Sequence, residues 1–404
     1  MRPVPVQEAI AGAHRDEWAR VVAALARRFR DLDLAEEAAA EAFATAVERW
    51  PSDGVPPNPG AWLTTTATRK AIDRVRRENK RDAKQREARM LHDHQASEPR
   101  GAVDDDRLRL IFTCCHPALS LDARVALTLR LVGGLTVPEI AGAFLVQEAT
   151  MGQRITRAKA KVAAARIPWR VPSAEDLPAR VSGVLAVLFL VFNEGYLASG
   201  PGSPPVRDDL TAEAVRLTRT VRALLPQDGE VAGLLALMLL TQARRRTRVS
   251  ATGELVPLDQ QDRSTWDAAM IAEGHRLVRE RLASGDAPGR YQLLAAISAV
   301  HTSVGDWSQV VALYDQLVVL DPSPVVALNR AVAVAELDGP AVGLALVDRL
   351  GDALDGYHAF HATRADLLRR LDRGPEAREA YDRAIELAGN TAESAYLTRR
   401  RAQT

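Results

Sequence analysis

The sequence predicts an all-α protein, and two observations carry that prediction. Alanine, leucine, valine and arginine dominate the 404 residues, aromatics make up 5%, and β-branched runs with the period-two alternation of half-buried strands are missing. Apolar residues recur instead at helical spacing, segment after segment, punctuated by proline and glycine. Hydrophobic residues at 47% and charged residues at 26% are ordinary for a globular chain with its own core. The length allows roughly two to four domains.

Taken in order, residues 15–30 and 34–50 read as two helices joined by the turn Asp31-Leu32-Asp33. The second has a small-residue face of Ala35, Ala38, Ala39, Ala42, Phe43 and Ala46, an acidic face of Glu36, Glu37, Glu41 and Glu48, and Pro51 as its stop. Pro51 to Gly60 is a stiff, proline-rich loop, Ser52 to Asn58 at its centre. A long helix starts near Ala61-Trp62-Leu63 and carries seven basic against two acidic residues between Arg69 and Arg81. Residues 82–105 are polar, lack an apolar period and read as a linker. Ser120 is placed to cap a helix from Leu121 to Val132 that Gly133-Gly134 ends.

A helix-turn-helix follows. Thr136 caps its first helix, Pro138 lies in the first turn and Glu139 holds the reciprocal capping-box position. Ile140 and Phe144 fall on one side. After a turn at Leu145 and Val146, a second helix sets Gln153, Arg154 and Arg157 on a polar face and Met151, Ile155 and Val162 on the buried one. Such a helix enters a major groove with its first turns at base edges and its later basic residues at phosphates. Pro168 and Pro172 mark a boundary. Residues 173–290 read as helical, with a Gly/Pro/Ser loop at 199–205 and a polar insertion at 248–262. Beyond them, Gly305-Asp306-Trp307, Tyr314, Leu317, Leu320, Asp321 and Pro322 match the second-helix half of a tetratricopeptide unit; steps of 34 and then 33 residues from Tyr314 reach Asp348 and Tyr381. The expected organisation is 1–81, 82–105, 106–170, 171–290 and 291–404, the last with tetratricopeptide-like repeats.

Charge is uneven. Residues 1–170 hold 28 Lys+Arg against 22 Asp+Glu, a balance of +6, and residues 171–404 hold 25 against 30, a balance of −5, which sum to the net +1. The first part favours a polyanion. The two cysteines, Cys114 and Cys115, are adjacent and make no disulfide framework. Cys114-Cys115-His116 lacks the second element a zinc site needs, so no metal is expected; the pair packs in a helix that Pro117 ends. The start of the chain lacks a signal-peptide core, and the apolar run Val184 to Phe192 is too short to span a bilayer, so no membrane association and a cytoplasmic location are expected. No nucleophile–base–acid set or phosphate-binding glycine loop stands out, so neither an enzyme nor a cofactor is expected.

With these motifs in order, the first 166 residues resemble an extracytoplasmic-function sigma factor of bacterial RNA polymerase. Glu36-Glu37-Ala38-Ala39-Ala40-Glu41-Ala42-Phe43 resembles the acidic helix with which sigma region two holds the polymerase β′ clamp. Ala61-Trp62-Leu63 through Arg69, Ala71-Ile72-Asp73-Arg74 and Arg76-Arg77 resembles the melting and minus-ten segment. Leu127-Leu129-Arg130, Glu139-Ile140-Ala141 and Thr150 to Lys161 resemble region four, which reads the minus-thirty-five element. The rest is similar to the subgroup with a C-terminal tetratricopeptide-like extension, including Phe192-Asn193-Glu194-Gly195-Tyr196 and Asp355-Gly356-Tyr357-His358. Ala40 stands where many members have glutamine, Leu145 replaces the usual turn glycine, and Gly152 interrupts the recognition helix.

The resemblance implies core RNA polymerase, through its β′ clamp and β flap, and promoter DNA as partners. It implies polymerase contact by Glu36, Glu37, Glu41 and Phe43. It implies DNA contact by Trp62, Arg69, Lys70, Arg74, Arg76, Arg77 and Lys80 in the first domain, and by Thr150, Gln153, Arg154, Arg157, Lys159 and Lys161 in the second. Asp355, Gly356, Tyr357 and His358 either make a regulatory contact or close a turn between helices. The repeats offer a surface to a peptide or protein partner. Two rivals remain: a conventional helix-turn-helix regulator with a tetratricopeptide-like sensor domain, and a tetratricopeptide scaffold whose basic half meets RNA or protein.

Overall fold

The computed structural model describes residues 6–83, 106–144, 146–197, 206–250, 255–303, 305–389 and 391–404. Most of the expected linker, the turn residue Leu145 and the whole 199–205 loop lie outside the described residues, as do residues 251–254 of the insertion. Among the described residues every regular element is helical, with one isolated bridge between Val249 and Leu255. Two compact units result, Met1–Leu188 and Phe189–Thr404.

The first unit opens with α1 (Val6–Phe29), α2 (Leu32–Asp53) and α3 (Pro59–Ala83). Helix α1 starts at Val6, ahead of the expected residue 15, because Gln7 to Gly12 hold no breaker but the glycine itself. Asp31 is a cap, not part of a three-residue turn: its carboxylate accepts from the amides of Asp33 and Leu34 at 2.9 and 3.0 Å. Pro51 does not stop α2. It sits in the last turn, where losing one amide bond costs least, and the helix ends at Gly54, whose φ of 81° lets its amide reach the Trp50 carbonyl at 3.0 Å. Asn58 caps α3 through the Ala61 amide at 3.0 Å, with Pro59 in the first turn.

Next come α4 (Asp106–Cys114), α5 (Leu121–Leu127), a π-helical turn (Thr128–Gly133), α6 (Val137–Ala143) and α7 (Glu148–Ala164). The expected helix over 121–132 thus changes winding after Leu127, and Ser120 holds the cap position without a side-chain cap bond. The wide turn brings Leu127, Leu129 and Leu131 all into the core. The capping box forms as expected: the Thr136 hydroxyl accepts from the Glu139 amide at 3.4 Å, and the Glu139 carboxylate from the Thr136 amide at 2.7 Å. Gly134, at φ 78°, closes the π turn against α1; a Cβ there would meet the His14 ring at 2.8 Å and the Trp18 ring at 3.1 Å.

The division between the units falls inside α8 (Leu177–Tyr196), not at the prolines near 170. By length and composition α8 is long and apolar enough to cross a membrane, a longer stretch than the expected Val184 to Phe192. Val181, Val184, Leu185, Leu188, Val191 and Phe192 on it are buried within the protein. The second unit continues with α9 (Asp208–Leu224), α10 (Gly229–Gln242), α11 (Ala268–Ser284) and α12 (Arg290–Thr302). Helix α10 is apolar all round and buried from Val231 to Leu240, as the centre of a helical stack must be. Gly233 brings it against the Tyr291–Gln292 backbone of α12, where a Cβ would lie 2.6 Å from the Gln292 nitrogen.

After these, α13 (Trp307–Leu320), α14 (Pro324–Asp338), α15 (Pro340–Asp348), α16 (Gly351–Leu354), α17 (His358–Arg370), α18 (Gly374–Leu387) and α19 (Thr391–Ala402) pack mainly on their sequence neighbours. Asp306 and Ser323 cap α13 and α14. Leu293, Ile297, Val310, Leu317 and Val326 form one core; Leu344, Phe360, Leu368 and Tyr381 anchor the next. The middle step of the expected repeat series, at Asp348, falls in the shortest pair, α15 with the single turn α16. Gly134→Ala is expected to destabilise the first unit by about 1–3 kcal/mol, from positive φ plus the clash with His14 and Trp18. A thermal melt of the purified chain reads it, and an unchanged melt would contradict the close approach.

Candidate nucleic-acid interface

On α7, Met151, Ile155, Ala158 and Val162 are buried, packing the helix into its domain. Thr150, Gln153, Arg157 and Lys161 are exposed and recur at i, i+3, i+7 and i+11, so they share one face. Arg157 braces that face by donating Nε to the Gln153 carbonyl at 3.3 Å. Arg154 flanks it, half-buried, with Asp122 of α5 at 3.4 Å. Lys159 is the exception. It lies on the buried stripe, and its ammonium is held by Asp33 at 2.8 Å and by Glu36. In this structure the Lys159 side chain, expected at DNA, is held by α2. Positions 155, 158, 159 and 162 follow i, i+3, i+4, i+7, so periodicity alone could have placed it.

The basic helix α3 divides its charges in the same way. Leu63, Ala67 and Ala71 are buried against the bundle. Lys70 and Arg74 lean toward α2 and pair with Glu41, at 3.5 Å, and Glu37. Arg69, Arg76 and Arg77 point outward, and Arg77 donates to the Asp73 carbonyl at 3.3 Å. Lys80 is within α3, but its side chain lies outside the described residues.

Where α2 meets α3, the loop after Gly54 closes a pocket of about 240 Å³. Arg49, Trp50, Asp53, Gly54, Val55, Pro56, Pro57 and Trp62 line it. Trp62 is half-buried, with its ring edge-on to Trp50 at 5.6 Å. Trp50 is buried and its indole Nε1 has no hydrogen-bond partner. The proline-rich loop thus forms a rigid wall beside the basic helix.

The acidic helix is not a uniform face. Glu37 and Glu41 stay accessible beside α3, at side-chain exposures of 48% and 44%. Glu36 is buried at 8% and turned the other way, toward the helix-turn-helix domain. Arg130 of the π turn donates Nε and Nη2 to its carboxylate, both at 2.6 Å, and Lys159 approaches the other oxygen. Arg130 also donates to the Leu135 carbonyl at 2.8 Å, and its own carbonyl accepts from the Trp18 indole at 3.2 Å. Burial pushes the Lys159 ammonium down, but Glu36 and Asp33 outweigh it, so its pKa is raised overall. Phe43 is buried between His14 and Trp18, with ring centroids at 5.0 and 5.7 Å. Glu36 and Phe43, expected at polymerase, are interior residues in this structure. Asp33, Arg130 and Trp18 were missed as partners, because their pairing joins segments about a hundred residues apart.

Two other sites resolve structurally. Helix α4 ends at Cys114, with Cys115 just past it and both buried; burial pushes the Cys115 thiol up to about 11 and raises Cys114 as well. Among the described residues no three His, Cys, Asp or Glu side chains gather into a metal set. Asp355 to Tyr357 close the turn between α16 and α17, where His361 Nε2 lies 2.7 Å from the Asp355 carbonyl and His358 lies 3.1 Å from Glu393. Asp355 and Gly356 remain exposed.

Comparison with known proteins assigns these parts. Residues 7–81 match sigma-70 region 2, residues 109–162 match sigma-70 region 4, and residues 180–282 match a family of unknown function. An uncharacterized protein of Rhizobium meliloti (strain 1021) is 46% identical over 389 residues, covering 94% of this chain and 92% of that protein.

The ion network makes an ordered prediction. Glu36→Ala leaves two cations facing each other and is expected to cost about 3–5 kcal/mol. Lys159→Met is expected to cost less, because Arg130 still holds Glu36. Denaturant unfolding of both variants measures the difference; an equal or reversed order would contradict the network.

Proposed function

The chain belongs to the sigma-70 family, whose partners are core RNA polymerase and promoter DNA, and from that membership we propose an alternative sigma factor of the extracytoplasmic-function type. It joins core polymerase, recognises minus-ten and minus-thirty-five elements and starts transcription in the cytoplasm. The observation that favours this over a conventional regulator is the combination of two separate cationic faces with a rigid pocket beside one of them. A regulator that only binds duplex has no use for the pocket.

In this proposal the exposed stripe of α7 enters the major groove upstream. Gln153, Arg154 and Arg157 meet base edges, and Thr150 and Lys161 meet backbone. Arg69, Arg76 and Arg77 on α3, with Lys80 further along, follow the backbone of the melting region. Lys70 and Arg74 exchange their carboxylate partners for phosphates or keep them. The pocket of Trp50, Pro56, Pro57 and Trp62 receives one unstacked base, whose capture offsets a few kcal/mol of unstacking. Glu37 and Glu41 offer acid to the β′ clamp, and the helix-turn-helix domain docks on the β flap.

Both promoter elements cannot be held while α7 stays pinned to α2. Two elements on separate turns of duplex need the two domains apart, so Asp33 and Glu36 must release Arg130 and Lys159 on the way to the promoter. Once released, Lys159 and Glu36 regain the DNA and polymerase roles that the sequence suggested. The C-terminal helices, with tetratricopeptide-like packing, tune activity through a peptide or protein partner or through the exposed turn at Asp355 and Gly356.

Reconstitution with core polymerase on a genomic fragment library, followed by sequencing of transcript starts, tests the whole proposal. It expects starts that share a two-part upstream sequence, and a chain that never co-elutes with polymerase rejects it. Arg154→Ala with Arg157→Ala should reduce discrimination between wild-type and scrambled upstream elements by about 1–3 kcal/mol per lost base contact. Trp62→Ala should keep duplex binding while losing strand opening, read by permanganate reactivity. Removing residues 171–404 should change transcript yield; an unchanged yield would leave the C-terminal half without a role in regulation.

A further inference from the structure

Arginines of the C-terminal unit are mostly neutralised where they stand. Arg219 meets Glu273 at 2.6 Å, Arg330 meets Asp315 at 2.6 Å, and Arg364 meets Asp348 at 2.8 Å. The stretch that follows α10 is different. Arg244, Arg245, Arg246 and Arg248 occupy four of five consecutive positions, and Arg263 joins them from the far side of the insertion. None of the five has a carboxylate oxygen of a described residue within 4.0 Å.

The described acids beside them cap helices instead of pairing with a guanidinium: Asp262 accepts from the Ser264 amide at 2.9 Å, and Asp267 accepts from the Met270 amide at 3.0 Å. Trp266 organises the cluster. Its indole donates to the Thr247 hydroxyl at 3.1 Å, and the guanidiniums of Arg263 and Arg244 lie 5.1 and 6.0 Å from its ring centre. Arg263 also donates to the Ser303 carbonyl at 2.8 Å. Arg248 is buried against Tyr196, to whose carbonyl it donates at 2.8 Å. The positive field is felt by neighbours: burial lowers the His301 pKa, and Arg244 and Arg263 lower it further. Asp208 offsets part of the charge at Arg248. Arg245 carries no such packing duty and is half-exposed, while Arg246 is fully exposed.

We propose that this arginine ridge is a second, sequence-independent contact to a nucleic-acid backbone, made by the C-terminal unit. Its chemistry suits a row of phosphates: planar donors, partly fixed by Trp266 and by backbone carbonyls. An acidic protein segment offers the same sign of charge, but DNA is the polyanion present at high local density wherever a sigma factor works. To that extent the choice of DNA rests on the function proposed above. The ridge would hold DNA that the two sigma domains do not read, and so raise affinity without changing which promoter is chosen.

Binding of the full-length chain, without polymerase, to a fluorescent duplex of random sequence tests this between about 50 and 200 mM salt. Arg245→Ala with Arg246→Ala is the informative variant, because neither side chain packs on Trp266 or Tyr196. Losing two phosphate contacts should lower the slope of log affinity against log salt by about 1.8 and weaken binding by tens-fold near 0.1 M salt. Arg245→Lys with Arg246→Lys should restore both. An alanine pair with wild-type slope and affinity overturns the ridge as a DNA contact. So does a ridge-dependent affinity for poly-glutamate with none for DNA, which would make it a protein-docking surface. Failure of the wild-type chain to join polymerase would sink the sigma-factor function instead, and leaves this duplex measurement able to decide the ridge.

Discussion

The carboxylate of Glu36, shared between Arg130 and Lys159, is the contact on which the amino-terminal unit depends. A carboxylate buried at 8% exposure beside an equally buried ammonium is costly to desolvate, and only several partners at short range make it tolerable. Asp33 and the two nitrogens of Arg130 supply them. The Trp18 indole then ties the Arg130 backbone to α1. The π turn and α7 thus meet α2 at one acid, and α1 joins them through the Arg130 backbone. Remove the acid, and two cations face each other where apolar packing cannot shield them.

That contact also divides the cations of this unit into two classes. Lys70, Arg74, Arg130 and Lys159 turn inward and have carboxylates on α2. Arg69, Arg76, Arg77, Arg157 and Lys161 turn outward from the buried faces. Arg130 and Lys159 hold the domains together, and Lys70 and Arg74 tie α3 to α2. Under the proposed function, laying α3 and α7 on separate stretches of duplex spends the Arg130 and Lys159 pairs, and polymerase and phosphates have to replace them.

The C-terminal unit follows a different logic. Its helices pack on their neighbours around two cores, and most of its arginines find carboxylates along the way. Among the described residues, a run of arginines after α10 is left without carboxylate partners, and the acids beside it, Asp262 and Asp267, cap helices. The Asp355–Tyr357 turn is held by its own histidine and backbone bonds, with its outer residues exposed.

Helix existence, the capping box at Thr136 and Glu139, and the exposed stripe of α7 were determined by the sequence alone, because each depends on neighbours three or four residues away. The apolar faces of α2 and α3 were legible for the same reason. Tertiary structure decided the rest. Pro51 continues α2 because its position in the last turn spares it, and the helix after Leu121 widens to bring three leucines inward. Lys159 and Glu36 look like surface residues by type, yet each is buried against a segment far away in the chain. Local spacing can say which side of a helix a residue occupies. It cannot say what that side will meet, because burial and ion pairing depend on chain segments that only folding brings together.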